Sequence, residues 1–209
     1  MSRPEPIVYV VEDDDIGRSL ISTLADSIGL ACESFPTASE FLEHFDTTQC
    51  GCLILDNFMP GMSGLQLQTE LNRRGAIIPL IFVTTNSHIP DAVAAMRQGA
   101  FNYLSKPFNT VELLTNLRRA IAYDQQNRLA LAHWDDIRDR IASLSEDERE
   151  VLGLLARGCA NTVMAEEMHL SELTVEAHRS RVMRKMGADS LAQLVRMYMD
   201  HQLRIKDKH

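Results

Sequence analysis

The sequence predicts a doubly wound α/β domain, built as (βα)5, followed by an all-α domain of four short helices. Up to about residue 122, short β-branched apolar runs alternate with amphipathic helical stretches, whereas only helical patterns follow residue 143. A chain of 209 residues is long enough for two small domains, each with its own core. Between them, in 123–142, apolar residues recur sparsely, which indicates a helical linker that could continue the preceding helix. The predicted boundaries are therefore 1–122, 123–142 and 143–209.

Five runs of the first domain are interpreted as strands. They are Ile7–Val11, a weaker run near Ala31–Phe35, Cys52–Leu55, Leu80–Val83 and Tyr103–Leu104. Their continuous apolar character is typical of parallel strands that are covered on both faces. Between the strands, apolar residues recur at helical spacing, as at Ile16, Leu20, Leu24 and Ile28.

The second domain carries signals for helix ends. Ser145 and Glu148 have the spacing of a capping box that opens a helix over Glu146–Ala156. The remaining helices are predicted over Thr162–Met168, over Glu172–Met186 with Ser171 as N-cap and Gly187 as stop, and from Asp189 or Ser190 to Met199. The connection at residues 169–171 is as short as a helix-turn-helix requires.

Polar residues follow the strands of the first domain at the sheet edge where open α/β sheets place their sites. They are Glu12, Asp13, Asp56, Thr84 and Lys106. Mg²⁺ prefers carboxylate, carbonyl and water oxygens, so Asp13 and Asp56 are expected to bind it directly, Glu12 through water, and Phe58 through its backbone carbonyl. Asp56 could then accept a phosphoryl group, with Lys106 and Thr84 holding the phosphoryl oxygens. We also expect a cis peptide bond at Lys106-Pro107.

The stretch Ile7–Ile121, with these residues and Met59-Pro60-Gly61, resembles the receiver domain of two-component response regulators. The resemblance implies that a sensor histidine kinase phosphorylates Asp56 and that Tyr103 is the switch aromatic that turns inward when Thr84 engages the phosphoryl group. It also implies a change in the face formed by about Ile89–Ala122. Glu12 replaces a commoner aspartate, and Thr85 replaces a usually smaller residue. Phe58 and Asn86 flank the pocket and are expected to tune hydrolysis.

The stretch from Leu144 to Met199 resembles the LuxR-type helix-turn-helix. The matching residues include Leu144-Ser145, Gly158, Asn161, Ala165, Thr174-Val175, His178, Val182 and Lys185. With the receiver this gives the NarL/FixJ class, and the pattern is closest to its FixJ-like branch. The resemblance implies a transcription regulator, more often an activator, that binds a double-stranded DNA operator, forms a homodimer when phosphorylated and works with RNA polymerase. Thr162 departs from the family, which often has a phosphate-contacting lysine there.

The helix over Glu172–Met186 is the expected DNA-reading helix. Val175, Val182 and Met186 share one face and are expected to pack inward. The candidate DNA contacts are Thr174, Glu176, His178, Arg179, Arg181, Arg184 and Lys185. Arginine reads guanine through two hydrogen bonds, whereas Arg184 and Lys185 suit phosphates better. For His178, phosphate contact and simple packing remain equally open.

Charge argues for specific rather than bulk binding to nucleic acid. The chain has a formal net charge of −8, with −6 on residues 1–122 and −2 on residues 123–209. Residues 177–188 nevertheless contain four basic and no acidic side chains. A local basic stripe on an acidic chain favours specific DNA binding over non-specific coating.

Cysteine usage and hydropathy predict a cytoplasmic protein with no membrane partner. The four cysteines, Cys32, Cys50, Cys52 and Cys159, do not make a disulfide framework at this length. Cys50 and Cys52 are spaced too tightly for a usual zinc pair, so we expect ordinary thiols. The N-terminus has no apolar signal-peptide core, and no apolar run approaches the roughly 20 residues of a membrane helix.

Two other functions share part of this residue pattern. The same Asp56 and magnesium chemistry belongs to aspartyl-phosphate phosphatases, but those need a general acid and a substrate cap. Here the second half offers helices with a basic stripe, so an enzyme is not expected. A DNA-binding regulator that works without phosphorylation, controlled by a partner or by its thiols, stays open because Glu12 and Thr85 depart from the receiver pattern.

Overall fold

The computed structural model describes residues 5–85 and 88–206. The chain divides into two compact units, Met1–Arg128 and Leu129–His209, so the division lies within the predicted linker. Each unit is described by itself.

The first unit is built on a five-stranded parallel sheet with the order β2-β1-β3-β4-β5. Its strands are β1 (Ile7–Val11), β2 (Ala31–Phe35), β3 (Gly51–Leu55), β4 (Leu80–Thr84) and β5 (Asn102–Ser105). The predicted doubly wound class is confirmed, including the weak second strand. β3 and β4 are buried along their whole length, which explains their unbroken apolar sequence.

Helices cover both faces of this sheet. They are α1 (Asp15–Ser27), α2 (Ala38–His44), α3 (Gly64–Arg73), α4 (Ile89–Arg97) and α5 (Thr110–Ala142). Alternate strand residues point to opposite faces. One face, with Tyr9, Leu53 and Phe82, packs against residues of α2, α3 and α4; the other, with Val10 and Ile54, packs against α1 and α5.

Residue 51 must be small because β1 runs close to it. A Cβ atom on Gly51 would lie 1.9 Å from the carbonyl oxygen of Ile7, far inside van der Waals contact. Ile7 and Gly51 are paired in the sheet, so this approach sets the start of β3 against β1. Glycine here is a packing requirement, since its backbone does not adopt a positive φ.

The predicted linker is part of α5, which runs without interruption over Thr110–Ala142. In the first unit, Leu113, Leu117 and Ile121 lie in the core. Beyond them, the buried Asp124 accepts hydrogen bonds from the backbone N–H of Gly51 at 2.9 Å and from Nε of Arg128 at 2.8 Å. This explains why the first unit extends past residue 122.

The second unit contains the C-terminal part of α5 and four further helices. These are α6 (Glu146–Ala156), α7 (Asn161–Glu167), α8 (Glu172–Met186) and α9 (Leu191–Lys206). The capping box of Ser145 and Glu148 is present, and the Ser171 side chain caps α8. The predicted end of the last helix at Met199 is wrong, because no glycine or proline follows to stop α9 and Arg204 lies over the Trp134 ring, 5.3 Å from its centroid.

The core of the second unit is shared by all of its helices. Its buried members include Ile137, Leu144, Val151, Met164, Val175, Val182 and Leu194. At the end of α8, Gly187 has a φ of 61° and Nη1 of Arg140 donates to the Met186 carbonyl at 2.7 Å. The left-handed turn ends α8 as the sequence predicts.

All four cysteines are free thiols, and Cys50 and Cys52 are buried. Among the helices described, none combines the length and apolar character needed to cross a membrane.

Candidate functional site

Three strand ends bring Glu12, Asp56 and Lys106 together. Glu12 follows β1, Asp56 follows β3, and Lys106 follows β5. Nζ of Lys106 lies 2.9 Å from Oδ2 of Asp56 and also hydrogen-bonds to Oε2 of Glu12. The Lys106–Pro107 peptide bond is cis, as expected. The carboxyl end of the sheet therefore holds a compact charged cluster.

The carboxylates of this cluster suit a hard divalent cation. Glu12, Asp13 and Asp56 each offer one oxygen, and these three oxygens lie within 4.8 Å of one another. Asp13 is exposed, whereas Glu12 and Asp56 are buried. Phe58, predicted to add its carbonyl, lies beside Asp56 and donates its backbone N–H to Oδ1 of Asp56 at 3.0 Å. An all-oxygen set with one open side fits Mg²⁺, which keeps several waters.

Burial and charge shift the pKa values of the cluster. Burial raises the pKa of Glu12, the nearby Asp56 adds to this rise, and Lys106 opposes it. Burial lowers the pKa of Lys106, but its hydrogen bonds to Glu12 and Asp56 outweigh burial and raise it. The single positive charge of Lys106 thus faces three carboxylates, those of Glu12, Asp56 and the exposed Asp13. The cluster therefore carries excess negative charge that a bound cation would balance.

The cluster opens into a cleft of about 430 Å³. Thr85, the departure from the receiver pattern, lines this cleft together with Phe58 and Phe108. Asn86, expected to flank the pocket, lies outside the described residues. Asp56 itself is part of the cleft lining.

Thr84 and Tyr103 carry hydroxyls that have no hydrogen-bond partner among the described residues. Thr84 is completely buried at the end of β4, next to β3. Tyr103 is half-buried in β5, and its ring stacks on Phe82 with a centroid distance of 5.5 Å. Both hydroxyls are therefore available to a new partner.

Asn57 is a polar residue of this region that sequence reasoning missed. It is buried, its Oδ1 accepts from the backbone N–H of Leu65 at 3.2 Å, and its Nδ2 donates to Oδ2 of Asp91 at 3.2 Å. The available signal was an amide placed two residues beyond a wholly apolar strand, where it must find partners inside the fold.

The second candidate site is the surface of α8. Val175, Val182 and Met186 are buried as predicted, and His178 is buried with them. Nε2 of His178 lies 4.0 Å from Oδ2 of Asp147. Because His178 is buried, a packing role is favoured over contact with a DNA phosphate.

The basic side chains of α8 differ in how free they are. Nζ of Lys185 lies 2.6 Å from Oε2 of Glu148 and 3.1 Å from the Ser143 carbonyl, so Lys185 ties α8 to α6. Arg181 lies near the same carboxylate, with Nε 3.6 Å from Oε1 of Glu148. Lys185 is thus engaged inside the unit, which does not suit the phosphate role expected of it.

The remaining predicted contacts of α8 lie in different settings. Nη1 of Arg179 donates to Oδ1 of Asn161 at 3.1 Å, which links α8 to the start of α7. Thr174 closes the first turn through its hydroxyl and Ser171, with the two oxygens 2.8 Å apart. Glu176 and Arg184 are exposed and make no ion pair with any other described residue.

Opposite the buried stripe, α8 presents a face that sequence reasoning left out. Leu173, Ala177 and Ser180 are exposed and recur at intervals of three and four residues, with Arg184 continuing the series. This face is the complement of the buried stripe, so the helical period alone could have identified it.

Comparison with known proteins agrees with this architecture. Residues 8–118 match the family described as response regulator receiver domain, and residues 142–198 match bacterial regulatory proteins of the luxR family. The response regulator protein TodT of Pseudomonas putida is 40% identical over 197 residues, covering 94% of this chain and 87% of TodT. The transcriptional regulatory protein FixJ of Azorhizobium caulinodans is 39% identical over 195 residues, covering 93% and 92% of the two chains.

Solved structures give the same result. The response regulator StyR aligns with a TM-score of 0.88 and 39% identity, covering 94% of this chain and 99% of StyR. Full-length FixJ from B. japonicum aligns with a TM-score of 0.58 and 33% identity, covering 96% and 99%. The chain therefore belongs to the response regulators of the NarL/FixJ class, DNA-binding transcription regulators rather than enzymes, with a receiver domain and a LuxR-type helix-turn-helix domain.

Proposed function

We propose that phosphorylation of Asp56 by a sensor histidine kinase gates sequence-specific binding of this regulator to a DNA operator. The observation that carries the proposal is the buried Asp56 carboxylate, 2.9 Å from Lys106 Nζ and grouped with Glu12 and Asp13. A carboxylate in this setting is a nucleophile for phosphoryl transfer, with charged groups ready to stabilise the transferred group.

The transfer follows from these positions. An Asp56 oxygen attacks the phosphorus of the phosphorylated kinase histidine, the phosphorus–nitrogen bond breaks, and the histidine leaves with that electron pair. Lys106 exchanges its Asp56 contact for a phosphoryl oxygen, and the Thr84 hydroxyl donates to another. Asp13, Asp56 and the Phe58 carbonyl would hold Mg²⁺, with Glu12 acting through water, and the ion would supply positive charge against the negative charge of the transferred group.

The output then passes to the face that contains α4 and β5. When Thr84 engages the phosphoryl group, the half-buried Tyr103 ring turns further inward. Ile89, Val93 and Met96 expose apolar surface next to Tyr103, a composition that suits a homodimer formed on phosphorylation. The two arrangements are in equilibrium, and the phosphoryl group favours one of them by the difference in its binding free energy.

On the DNA side, α8 enters the major groove of the operator. Its exposed Glu176, Arg181 and Arg184 are the best placed of the predicted contacts, with Thr174 and Arg179 at its edges. Arg184 binds phosphate, whereas Glu176 accepts from base amino groups. Bound to DNA, the regulator recruits RNA polymerase and activates transcription.

The test is phosphorylation by a small phosphodonor with Mg²⁺, comparing wild type with Asp56→Asn. Intact mass, gel filtration and operator affinity are read on the same samples. We expect one phosphate on wild type alone, a shift to the dimer and tighter DNA binding. An Asp56→Asn variant that gains phosphate, or equal DNA affinity with and without phosphate on wild type, would refute the gating.

The thiol-gated alternative finds no support in the first unit. Burial raises the pKa of Cys50 to about 11, with Asp124 adding to the shift, and burial also raises the pKa values of Cys32 and Cys52. Such thiols are protonated at neutral pH and react slowly. Cys→Ser variants are expected to keep the response to phosphorylation.

A further inference from the structure

Asn57 connects the phosphoacceptor loop to two helices at once. Its backbone carbonyl accepts from Gly64 N–H at 3.1 Å and its Oδ1 accepts from Leu65 N–H at 3.2 Å, both at the start of α3. Its Nδ2 donates to Oδ2 of Asp91 at 3.2 Å, in the first turn of α4. Both hydrogen bonds that this side chain makes with described residues therefore go to the first turn of a helix, α3 or α4.

The bond to Asp91 lies at one end of α4, and different contacts hold the rest of that helix. Nε2 of Gln68 donates to the Ala95 carbonyl at 3.0 Å, and the Thr69 hydroxyl lies 3.1 Å from Oε1 of Gln98. These ties join the middle and the C-terminal end of α4 to α3. Of the hydrogen bonds between described residues, only the one from Asn57 joins the N-terminal turn of α4 to the loop that carries Asp56.

Asp91 also acts on the switch aromatic. Burial, followed by the charges of Asp91 and Asp56, raises the pKa of Tyr103. The Tyr103 hydroxyl is buried and has no hydrogen-bond partner in the described part of the chain. The Asp91 carboxylate that adds to this shift is the same one that accepts the hydrogen bond from Asn57.

We propose that Asn57 is a positioning residue of the switch, whose hydrogen bond to Asp91 holds the first turn of α4 against the Asp56 loop. When Thr84 and Tyr103 rearrange, Asn57 releases Asp91, and the first turn of α4 separates from the Asp56 loop. The inference rests on the proposed function, because the phosphoryl group on Asp56 starts the rearrangement. It adds a second route from Asp56 to α4, parallel to the route through Thr84 and Tyr103.

Two variants break the same hydrogen bond from opposite sides. Asp91→Ala removes the acceptor on α4, and Asn57→Leu removes the donor on the loop. Without phosphodonor, amide hydrogen exchange over residues 92–96 is expected to be roughly 10-fold faster than in wild type, the loss expected for a hydrogen bond to a charged group. Operator affinity without phosphodonor is expected to rise by a similar factor, because the bond opposes the rearranged state.

Three further variants show whether the bond itself is responsible. The Asn57→Leu/Asp91→Ala double variant is expected to match Asn57→Leu, because that variant already removes the hydrogen bond to Asp91 together with the one from Leu65. Asp91→Asn keeps an acceptor oxygen and is expected to lie between wild type and Asp91→Ala. Gln98→Ala removes the side-chain contact with Thr69 at the other end of α4 and leaves the hydrogen bond from Asn72 to the Gln98 carbonyl. It is the matched control, with wild-type exchange expected over residues 92–96. Urea unfolding of each variant checks that the fold is retained.

The outcomes separate this inference from the proposed function. If wild type takes up phosphate and gains DNA affinity while Asp91→Ala exchanges like wild type, the inference is wrong and the gating stands. Additive effects in the double variant, or equal loosening by Gln98→Ala, would also overturn it. If wild type takes up no phosphate, the proposed function fails first, and Asn57 has no switch to position. If Asn57→Leu does not fold, Asp91→Ala still tests whether the hydrogen bond holds α4, because Asp91 is only half-buried and its replacement is tolerated more easily.

Discussion

Lys106 is the residue that makes two adjacent buried carboxylates tolerable. Glu12 and Asp56 are 2% and 5% exposed, and both are paired with Lys106. Lys106→Met leaves them facing each other without a cation, and we expect the free energy of unfolding to fall by about 3 kcal/mol at neutral pH. Urea unfolding of wild type and variant, each in EDTA, measures this loss.

Magnesium provides the control for that variant. If the carboxylates bind the ion, Mg²⁺ replaces the missing positive charge, so it should stabilise Lys106→Met more than it stabilises wild type. Equal stabilisation of both proteins by Mg²⁺ would place the ion elsewhere.

Glu148 predicts a pH dependence in the second unit. A hydrogen bond from Lys185, together with one from the Ser145 backbone N–H, lowers the pKa of Glu148 below its ordinary value of 4.5. A lowered pKa in the folded state means that the stabilisation is complete above about pH 4.5 and is lost as the pH falls through the folded value. Glu148→Gln should therefore reduce the free energy of unfolding by about 2 kcal/mol at pH 7.

Urea unfolding between pH 3 and pH 7 checks this expectation. The difference between wild type and Glu148→Gln should shrink as the pH falls below about 4.5. Glu150→Gln, an exposed neighbour on the same helix, is the control and should show little change at any pH. A constant difference across the range would mean that the side chain contributes by shape and not by charge.

At the scale of the elements, the end of α8 depends on a glycine that meets a neighbouring helix. Gly187 and Gly158 both have positive φ, at 61° and 78°, so alanine is strained at either position. A Cβ on Gly187 would also lie 2.0 Å from Nη1 of Arg140, whereas nothing lies within 4 Å of a Cβ on Gly158. Gly158→Ala should cost about 1 kcal/mol and Gly187→Ala about 2–3 kcal/mol.

The contact with Arg140 accounts for the difference between these two glycines. To make room, Arg140 must give up its hydrogen bond to the Met186 carbonyl. In an Arg140→Ala background, Gly187→Ala should therefore cost no more than Gly158→Ala, as measured by urea unfolding. If the larger cost persisted, the strain would lie in the backbone of the turn itself.

At the scale of the whole molecule, a net charge of −8 makes DNA binding depend on a few well-placed cations. Arg184 is exposed and unpaired in the described chain, so Arg184→Ala should reduce the slope of log affinity against log salt by about one unit. Lys185 is tied to Glu148. Lys185→Ala should chiefly lower stability. Operator titrations at several salt concentrations, together with urea unfolding, distinguish Arg184→Ala from Lys185→Ala. If both variants gave the same salt slope, the assignment of the phosphate contact to Arg184 would be wrong.

The fold was predictable because its signals are local. β1, β3 and β4 show apolar runs, and α6 and α8 carry side-chain caps at their starts. The charged cluster was predictable as well, since parallel strands bring their carboxyl ends to one edge whatever the details of packing. The C-terminal end of α9 was predicted at Met199 instead of Lys206 because the sequence there has no such stop signal.

Other features could not be read from the sequence because they depend on distant partners. Asn57 meets Asp91 across 34 positions, and Lys185 meets Glu148 across 37. Neither pair shares an element, so no periodicity links its members. Such contacts follow from packing, and they decide which polar side chains are free to act on a ligand.

The buried thiols of the sheet give the protein a built-in chemical reporter of its own opening. Cys52 is completely buried in β3, and burial raises its pKa, so an alkylating reagent reaches a reactive thiolate only after the sheet has opened. Its modification rate in native buffer therefore measures how often the first unit opens. In a variant with the other three cysteines replaced by serine, the Cys52 modification rate can be measured with and without phosphate on Asp56. The ratio of the two rates gives the effect of phosphorylation on the stability of the first unit's core.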